Sequence, residues 1–260
     1  MKVQKTALFG EVPSPESLDE LFALFHELPP EQTRVRVWRG QGNIDWPVHS
    51  TAYRRLELNR ATVNEKDVIM YEKRLLVQAT HRGYRSLGGR DLSDQELLVR
   101  LRHHGAATRL VDATRSAITA LWFAVAGQVR ATGVLMGMHC HYLGGYEGQP
   151  ESHSYDELVG LAKDKDYPLT WEPMTISPRI AAQHSQLLFS QLSKAPSGSL
   201  ELPRESGSTL IIALTPALKA AARAVLVEVY DIRAVTLFPD LDGFCDANAC
   251  SVDIGDMYRW

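Results

Sequence analysis

An α+β architecture follows from three features of this 260-residue chain. Segments of helical period gather in the first half, strand-type apolar runs gather in the second, and the two do not alternate regularly, which argues against a doubly wound parallel sheet. The expected arrangement is a helical first half packed on a mixed or antiparallel β-sheet core. An apolar fraction of 45% with 23% charged residues supports a packed core rather than disorder. No shift of composition divides the chain, so 1–260 reads as a single domain with an N-terminal helix over 14–28 and a short C-terminal tail.

In order, Leu18, Leu21, Phe22, Leu24 and Phe25 supply the apolar stripe of the helix from Ser14 to Leu28, which Pro29-Pro30 ends. Arg34-Val35-Arg36-Val37-Trp38-Arg39 alternates charged and apolar residues, the pattern of a half-buried strand, and breaks at Gly40-Gln41-Gly42, where glycine lets backbone approach a ligand closely. Residues 60–102 are mostly helical in pattern, divided by turns near Gly83 and at Gly88-Gly89. A buried helix follows, its stripe formed by Leu110, Ala113, Ala117, Leu121, Ala124 and Val125, with Asp112 or Thr114 as the N-cap. Gly133 to Tyr142 reads as a strand and Tyr155 to Ala162 as a short helix. Leu187–Ser190, Leu210–Leu214, Val225–Tyr230 and Ala234–Phe238 are strand candidates, with a short helix from Pro216 to Ala224.

The charge is uneven. The net charge of −3 divides into 19 Lys and Arg against 15 Asp and Glu over 1–130, and 9 against 16 beyond. The basic excess is rich in arginine, whose planar fork suits phosphate, although a solvated arginine face explains the same excess. No apolar run reaches the length of a membrane span and no signal-like segment follows Met1, so a cytoplasmic protein without a membrane partner is expected. Cys140, Cys245 and Cys250 are too few and too irregular for a disulfide framework. His139 and His141 share a strand face while Cys140 points away, so they do not converge on a metal.

The densest chemistry lies in His103-His104-Gly105, Thr108-Arg109-Leu110-Val111-Asp112 and Thr114, just ahead of the buried helix. Arg109 and the histidines at a positive helix end suit an anion. Arg109 paired with Asp112 or another carboxylate, as an internal clamp beside satisfied core histidines, suits the same residues. The spacing leaves both open.

Trp38-Arg39-Gly40-Gln41, then Trp46 to Ser50 with Arg54, then His103 to Asp112, then Ser177-Pro178-Arg179-Ile180 with Gln183 and Phe189, and finally Leu237 to Gly243 occur in this order. Together, over 33–244, they resemble the bacterial FRG domain family, named for a Phe-Arg-Gly motif; Trp38 stands for the naming phenylalanine, Ala106-Ala107 for the usual Leu-Pro, and Ala113 where the family often has tryptophan. The strand ending in aromatic-Arg-Gly, followed by a Ser-Thr pair, is in turn similar to the entry of the NAD site in ADP-ribosyltransferases. That second resemblance implies an ADP-ribosyltransferase-like fold with NAD as co-substrate. It implies Arg39 on the phosphates, Gly40 offering backbone to the nicotinamide amide, Gln41 and Arg54 in the same pocket, and Ser50 or Thr51 as a brace on the next strand. Gln183 stands where a late Glu or Gln holds the ribose. Because glutamine lacks the full negative charge that an oxocarbenium-like state requires, Asp112 or a nucleophile activated by His103 or His104 has to compensate.

The resulting expectation is an NAD-dependent ADP-ribosyltransferase, a toxin or anti-phage effector with Arg39, His104, Arg109, Asp112 and Gln183 in the reaction. RNA, more than DNA, or a protein would be the acceptor, and an antitoxin a possible partner. Two other readings use the same residues: a non-catalytic phosphate- or nucleic-acid-binding module, and a metal-independent nuclease with His104 as acid/base and Arg109 as phosphate clamp. The Leu237–Gly243 motif reads as a strand end and turn whose aspartates can bind Arg109 or the histidines.

Overall fold

The computed structural model describes residues 1–26, 36–145, 148 and 151–249. Arg34, Leu28 with the Pro29-Pro30 stop, and Cys250 lie outside them. The chain opens with an antiparallel hairpin, β1 (Lys2–Thr6) and β2 (Gly10–Ser14), which the sequence reading missed. The first helix, α1 (Leu18–His26), therefore begins after Ser14. Then come β3 (Arg36–Gln41), α2 (Thr51–Glu57) and α3 (Glu65–His81), followed by the small hairpin β4 (Ser86–Leu87) and β5 (Arg90–Asp91) and by α4 (Asp94–His103). The glycine turns predicted near 83 and 88 fall between α3 and this hairpin and at its tip.

Next are β6 (Val111–Thr114), α5 (Ala117–Val125), β7 (Gly133–His139), a 3-10 turn over Cys140–Tyr142, β8 (Gly144–Gly145), α6 (Tyr155–Ala162), β9 (Leu169–Trp171) and α7 (Pro178–Ala182). The chain continues with β10 (Ser185–Phe189), β11 (Thr209–Leu214), α8 (Pro216–Glu228), α9 (Ala234–Leu237) and α10 (Leu241–Ala247). Among the described residues the main sheet has seven strands in the order β11-β7-β3-β6-β10-β9-β8. Every neighbouring pair is antiparallel except β8–β9, so the sheet is mixed, as expected.

Both faces of its centre are buried, and the period-two alternation sorts side chains between two cores. Trp38, Leu135, Ile212 and Leu214 pack under α1, α5 and α8, against Leu21, Leu24, Leu121 and Leu218. Val37, Val134, Met136 and Ala213 point the other way, toward Ile44, Val48, Val111 and Leu188. This double burial is why β3 is a central strand rather than the half-buried one that its alternation suggests.

Five expectations change. Leu110 and Ala113 match a helical stripe only by coincidence: β6 pairs with β10 over four residues, and the helix starts after Ser116, whose Oγ accepts from Thr119 N–H at 3.1 Å. Neither Asp112 nor Thr114 is therefore the N-cap; Thr114 Oγ1 instead accepts from Ser116 N–H and donates to the Gln183 carbonyl at 2.7 Å. Val225 to Glu228 extends α8, because Thr215 caps the helix, Pro216 opens it, and Leu218, Ala222 and Leu226 bury one face, outweighing the β-branched residues. Ala234–Leu237 is a turn of helix held by Thr236 Oγ1, which accepts from Arg233 N–H at 3.0 Å. Finally, strands of the main sheet come from both halves of the chain, so the expected segregation of helices from strands is incomplete.

Candidate functional site

Strands β3 and β6 meet at a single registered pair, Trp38 opposite Thr114, and then part. Arg39 lies one residue beyond that pair, where Arg39 Nη1 spans the gap to donate to the Asp112 carbonyl at 2.6 Å. A cleft of about 430 Å³ opens at this split, within the size range of small-molecule sites. Its floor is β3, β6 and the start of β10; its walls are the end of α4, α5, α7 and Phe238.

Arg39, Arg102 and Arg179 line the cleft together with His103, Gln183 and Gln186; among the described lining residues, Asp112 is the only carboxylate. Arg39 Nε donates to Gln41 Oε1 at 3.2 Å, and Gln41 Nε2 donates to the Trp46 carbonyl at 3.0 Å. Burial pushes the Arg39 guanidinium down to about 10; Asp112 opposes this, while Arg102 and Arg54 add to it. A cluster of cations that weaken one another is relieved by an anion. Arg102 grips Asp112 through Nε at 3.2 Å and through Nη2, and its Nη1 donates to Thr51 Oγ1 at 3.2 Å. Thr51 Oγ1 also donates to the Thr108 carbonyl and accepts from Thr108 N–H, both at 3.0 Å, so the hydroxyl braces Arg102.

The His-His-Gly sequence has a local cause. Gly105, at φ +83°, ends α4: its N–H donates to the Arg102 carbonyl at 3.0 Å and Ala106 N–H to the Leu101 carbonyl at 2.9 Å, the Schellman pattern. The turn leaves His103 as the last helical residue, against the cleft. His104, beyond it, is exposed and points to Asp242, Nδ1 to Oδ2 at 3.6 Å.

The predicted residues thus divide. Arg39, Gly40, Asp112 and Gln183 line the cleft, with Gln41 and Thr51 behind them. Gly40 carries a further constraint: a Cβ there would lie 1.9 Å from the Ala120 carbonyl oxygen, so the glycine lets β3 pack against α5 rather than serving only a ligand. Gln183 ends α7, and its Nε2 donates to the Leu237 carbonyl at 2.9 Å. Ser50 and Thr51 are not on a strand; Ser50 caps α2 by accepting from Tyr53 N–H at 3.2 Å, and Thr51 is its first residue. Arg54 is exposed in the last turn of α2.

Arg109 lies elsewhere. Its side chain is 1% exposed and points into the core, where Nε and the backbone N–H donate to the Glu72 carboxylate and Nη1 to Glu65 Oε1, all at 2.6 Å. Nη2 donates to Tyr155 Oη at 2.7 Å, and that hydroxyl donates to Glu72 Oε2 at 2.7 Å. Burial lowers the Arg109 pKa, but Glu72, Tyr155 and Glu65 more than offset it, and the guanidinium is held more firmly protonated than usual. The internal clamp is formed, with Glu72 and Glu65 rather than Asp112. His139 is likewise fully buried, its Nδ1 accepting from His141 N–H at 3.1 Å. No group of three or more possible metal ligands occurs among the described residues.

Arg102, Arg179, Phe123 and Phe238 line the cleft without having been assigned to it, and of the two candidate histidines His103 is the one that lines it. Arg179 was visible in the Ser-Pro-Arg motif. It stacks on Phe238, its guanidinium carbon 4.9 Å from the ring centroid, and pairs with Asp240 at 2.7 Å. Part of the arginine excess is neutralised within the fold: Arg60, Arg85, Arg90, Arg102 and Arg109 pair with carboxylates. No described helix is long and apolar enough to cross a membrane.

A family profile described as the FRG domain matches residues 34–132, which hold the Trp38-Arg39-Gly40 and His103–Asp112 motifs but not the two later ones. No curated protein and no solved structure matches the chain.

Proposed function

From the premise that this chain carries an FRG domain over residues 34–132, we propose that it binds NAD in the β3–β6 cleft and transfers the ADP-ribosyl group to a macromolecular acceptor, RNA foremost. The observation that carries this reading is the convergence of Arg39, Arg102 and Arg179 with one carboxylate, Asp112, where the two strands part. Arg39 and Arg102 hold the diphosphate, with Thr51 and Gln41 fixing their forks. A phosphate that takes Arg102 displaces Asp112 from it, and the released carboxylate stabilises positive charge on the ribose as the glycosidic bond breaks. Phe123 and Phe238 give a ring an apolar wall, and Gln183 ties α7 to Leu237 as a positioning residue. An effector that inactivates RNA, as a toxin or against phage, is the setting this chemistry suits, with an antitoxin as its control.

The test is nicotinamide release from NAD by the purified chain, with and without total RNA, beside Arg39→Ala. Release that depends on Arg39 and rises with RNA supports the transferase and its acceptor. A second reading, a non-catalytic phosphate-binding module, is favoured by Arg102 covering Asp112 with two contacts; NAD bound without turnover would select it. The nuclease reading loses its geometry, because His104 is exposed and Arg109 is buried in the Glu72 clamp, so neither lines the cleft.

A further inference from the structure

We infer that His103, oriented by Asp240, is the base that takes the proton from the acceptor group attacking the ADP-ribosyl donor; this role rests on the transferase reading above. His103 lines the cleft. Its side chain is 9% exposed, and Nε2 lies 3.6 Å from Asp240 Oδ2.

Asp240 is built to be held there. It caps α10, with Oδ1 accepting from Gly243 N–H at 2.9 Å and from Arg179 Nη2 at 2.7 Å. Oδ2 is buried and has no hydrogen-bond partner among the described residues. A buried carboxylate oxygen left open toward an imidazole is an acceptor awaiting the N–H. Shortening of the 3.6 Å separation as substrate binds fits the way such contacts tighten in enzyme complexes. With Nε2–H directed at Asp240, Nδ1 is the unprotonated nitrogen. The Leu237–Gly243 motif is thus neither a strand end nor a simple turn; it is the device that places this carboxylate.

The charged groups facing His103 are Arg179 from α7, its helix neighbour His104, and Asp240 and Asp242 from the C-terminal segment. Burial lowers its pKa first, Arg179 and His104 lower it further, and the two aspartates only partly oppose them. His103 is therefore neutral at neutral pH, the form a base requires.

The step balances. The bond between ribose C1′ and the nicotinamide nitrogen breaks, and its electron pair leaves with neutral nicotinamide. A lone pair on an acceptor oxygen or nitrogen forms the new bond to C1′, and the acceptor's proton passes to His103, whose imidazolium Asp240 stabilises. The proton then goes to water, so NAD and the protonated acceptor yield ADP-ribosylated acceptor, nicotinamide and one proton.

The experiment follows label from NAD into total RNA, using the full chain and His103→Ala, with NAD affinity measured on both. The role predicts that transfer falls at least about 100-fold while NAD affinity stays within about twofold, and that free imidazole restores part of the rate, increasingly as it loses its own proton. His103→Gln provides the same reading if the alanine variant does not fold. Asp240→Asn lowers the rate and moves the acid limb of the pH profile to lower pH, because the counter-charge favouring imidazolium is gone. A folded His103 variant that transfers at the wild-type rate removes the role and leaves the reaction standing. A wild-type chain that releases no nicotinamide removes the reaction and this role with it.

Discussion

Arg102 and Arg109 lie seven residues apart in sequence and serve opposite ends. Arg109 turns inward, where Glu72, Glu65 and Tyr155 consume its donors in a cluster under the Phe189 ring, 5.0 Å from the guanidinium carbon. Arg102 turns outward, where one exposed carboxylate, Asp112, holds it at the mouth of a cleft shared with Arg39 and Arg179. The lesson is that the number of buried carboxylates within reach decides whether an arginine is structure or site. A fully paired arginine has nothing to offer a ligand, whereas Arg39 and Arg102 beside the single carboxylate of Asp112, with Arg179 committed to Asp240, leave a positive surplus that an anion can neutralise.

Removing the inward pair should give the largest effect. Arg109→Met leaves Glu72, with a fully buried side chain, without its cation, and a loss of ~3–5 kcal/mol is expected in chemical denaturation. Simultaneous Glu72→Gln should recover a large part of that loss, because the stranded charge goes with it. If Arg109→Met cost no more than a surface substitution, the inward cluster would not be the clamp described.

A buried carboxylate without such an arginine sharpens the comparison. Glu151 is 7% exposed and accepts from Met174 N–H, while the nearby Arg90 is committed to Glu96 through two contacts. Burial pushes the Glu151 carboxyl up to about 7 from its ordinary 4.5. The unfolded chain ionises Glu151 near the ordinary value, whereas the folded chain holds the proton to about 7; the fold loses stability across that window, and the loss is complete above it. Glu151→Gln should therefore stabilise the protein by about 1–3 kcal/mol above pH 7 and leave it unchanged near pH 4, as read from melting curves at the two pH values. An equal effect at both would deny the raised pKa.

The smallest effect concerns the outward pair. Asp112→Asn frees Arg102, so inorganic pyrophosphate should bind a few-fold more tightly, by under ~1 kcal/mol, as expected for an exposed pair. NAD turnover should fall in the same variant because the charge on the ribose side is lost. Tighter binding with slower turnover separates the two roles of Asp112; a variant unchanged in both would remove Asp112 from the site.

Where the physics is local, the sequence could be read. The mixed sheet, the helix over 155–162, the turns near Gly83 and Gly88, and Arg39 on a strand followed by glycine were all accessible from period, turn residues and motif order, although the packing of Gly40 against α5 was not. What failed depended on partners distant in sequence. Val111–Thr114 is a strand because β10 pairs with it, and Val225–Glu228 is helical because three residues of α8 bury one face. The choice between His103 and His104 rests on one turn of chain at Gly105, and nothing in the spacing indicates that Glu72, 37 residues before Arg109, draws that arginine inward. Arginine content overstated the free positive surface because five of those side chains are paired within the fold.

The central claim is that the split between β3 and β6 is a site for a phosphate-bearing ligand organised by Arg39. Calorimetric titration of NAD and of inorganic pyrophosphate into the wild type and into Arg39→Ala, with a melting curve of each, tests it most directly. The account predicts that both ligands bind the wild type, that Arg39→Ala weakens both by about 10- to 100-fold, the loss of ~1.4–3 kcal/mol expected of hydrogen bonds to a charged group, and that its melting temperature changes little. Equal binding by the two proteins, or no binding to the folded wild type, would contradict it.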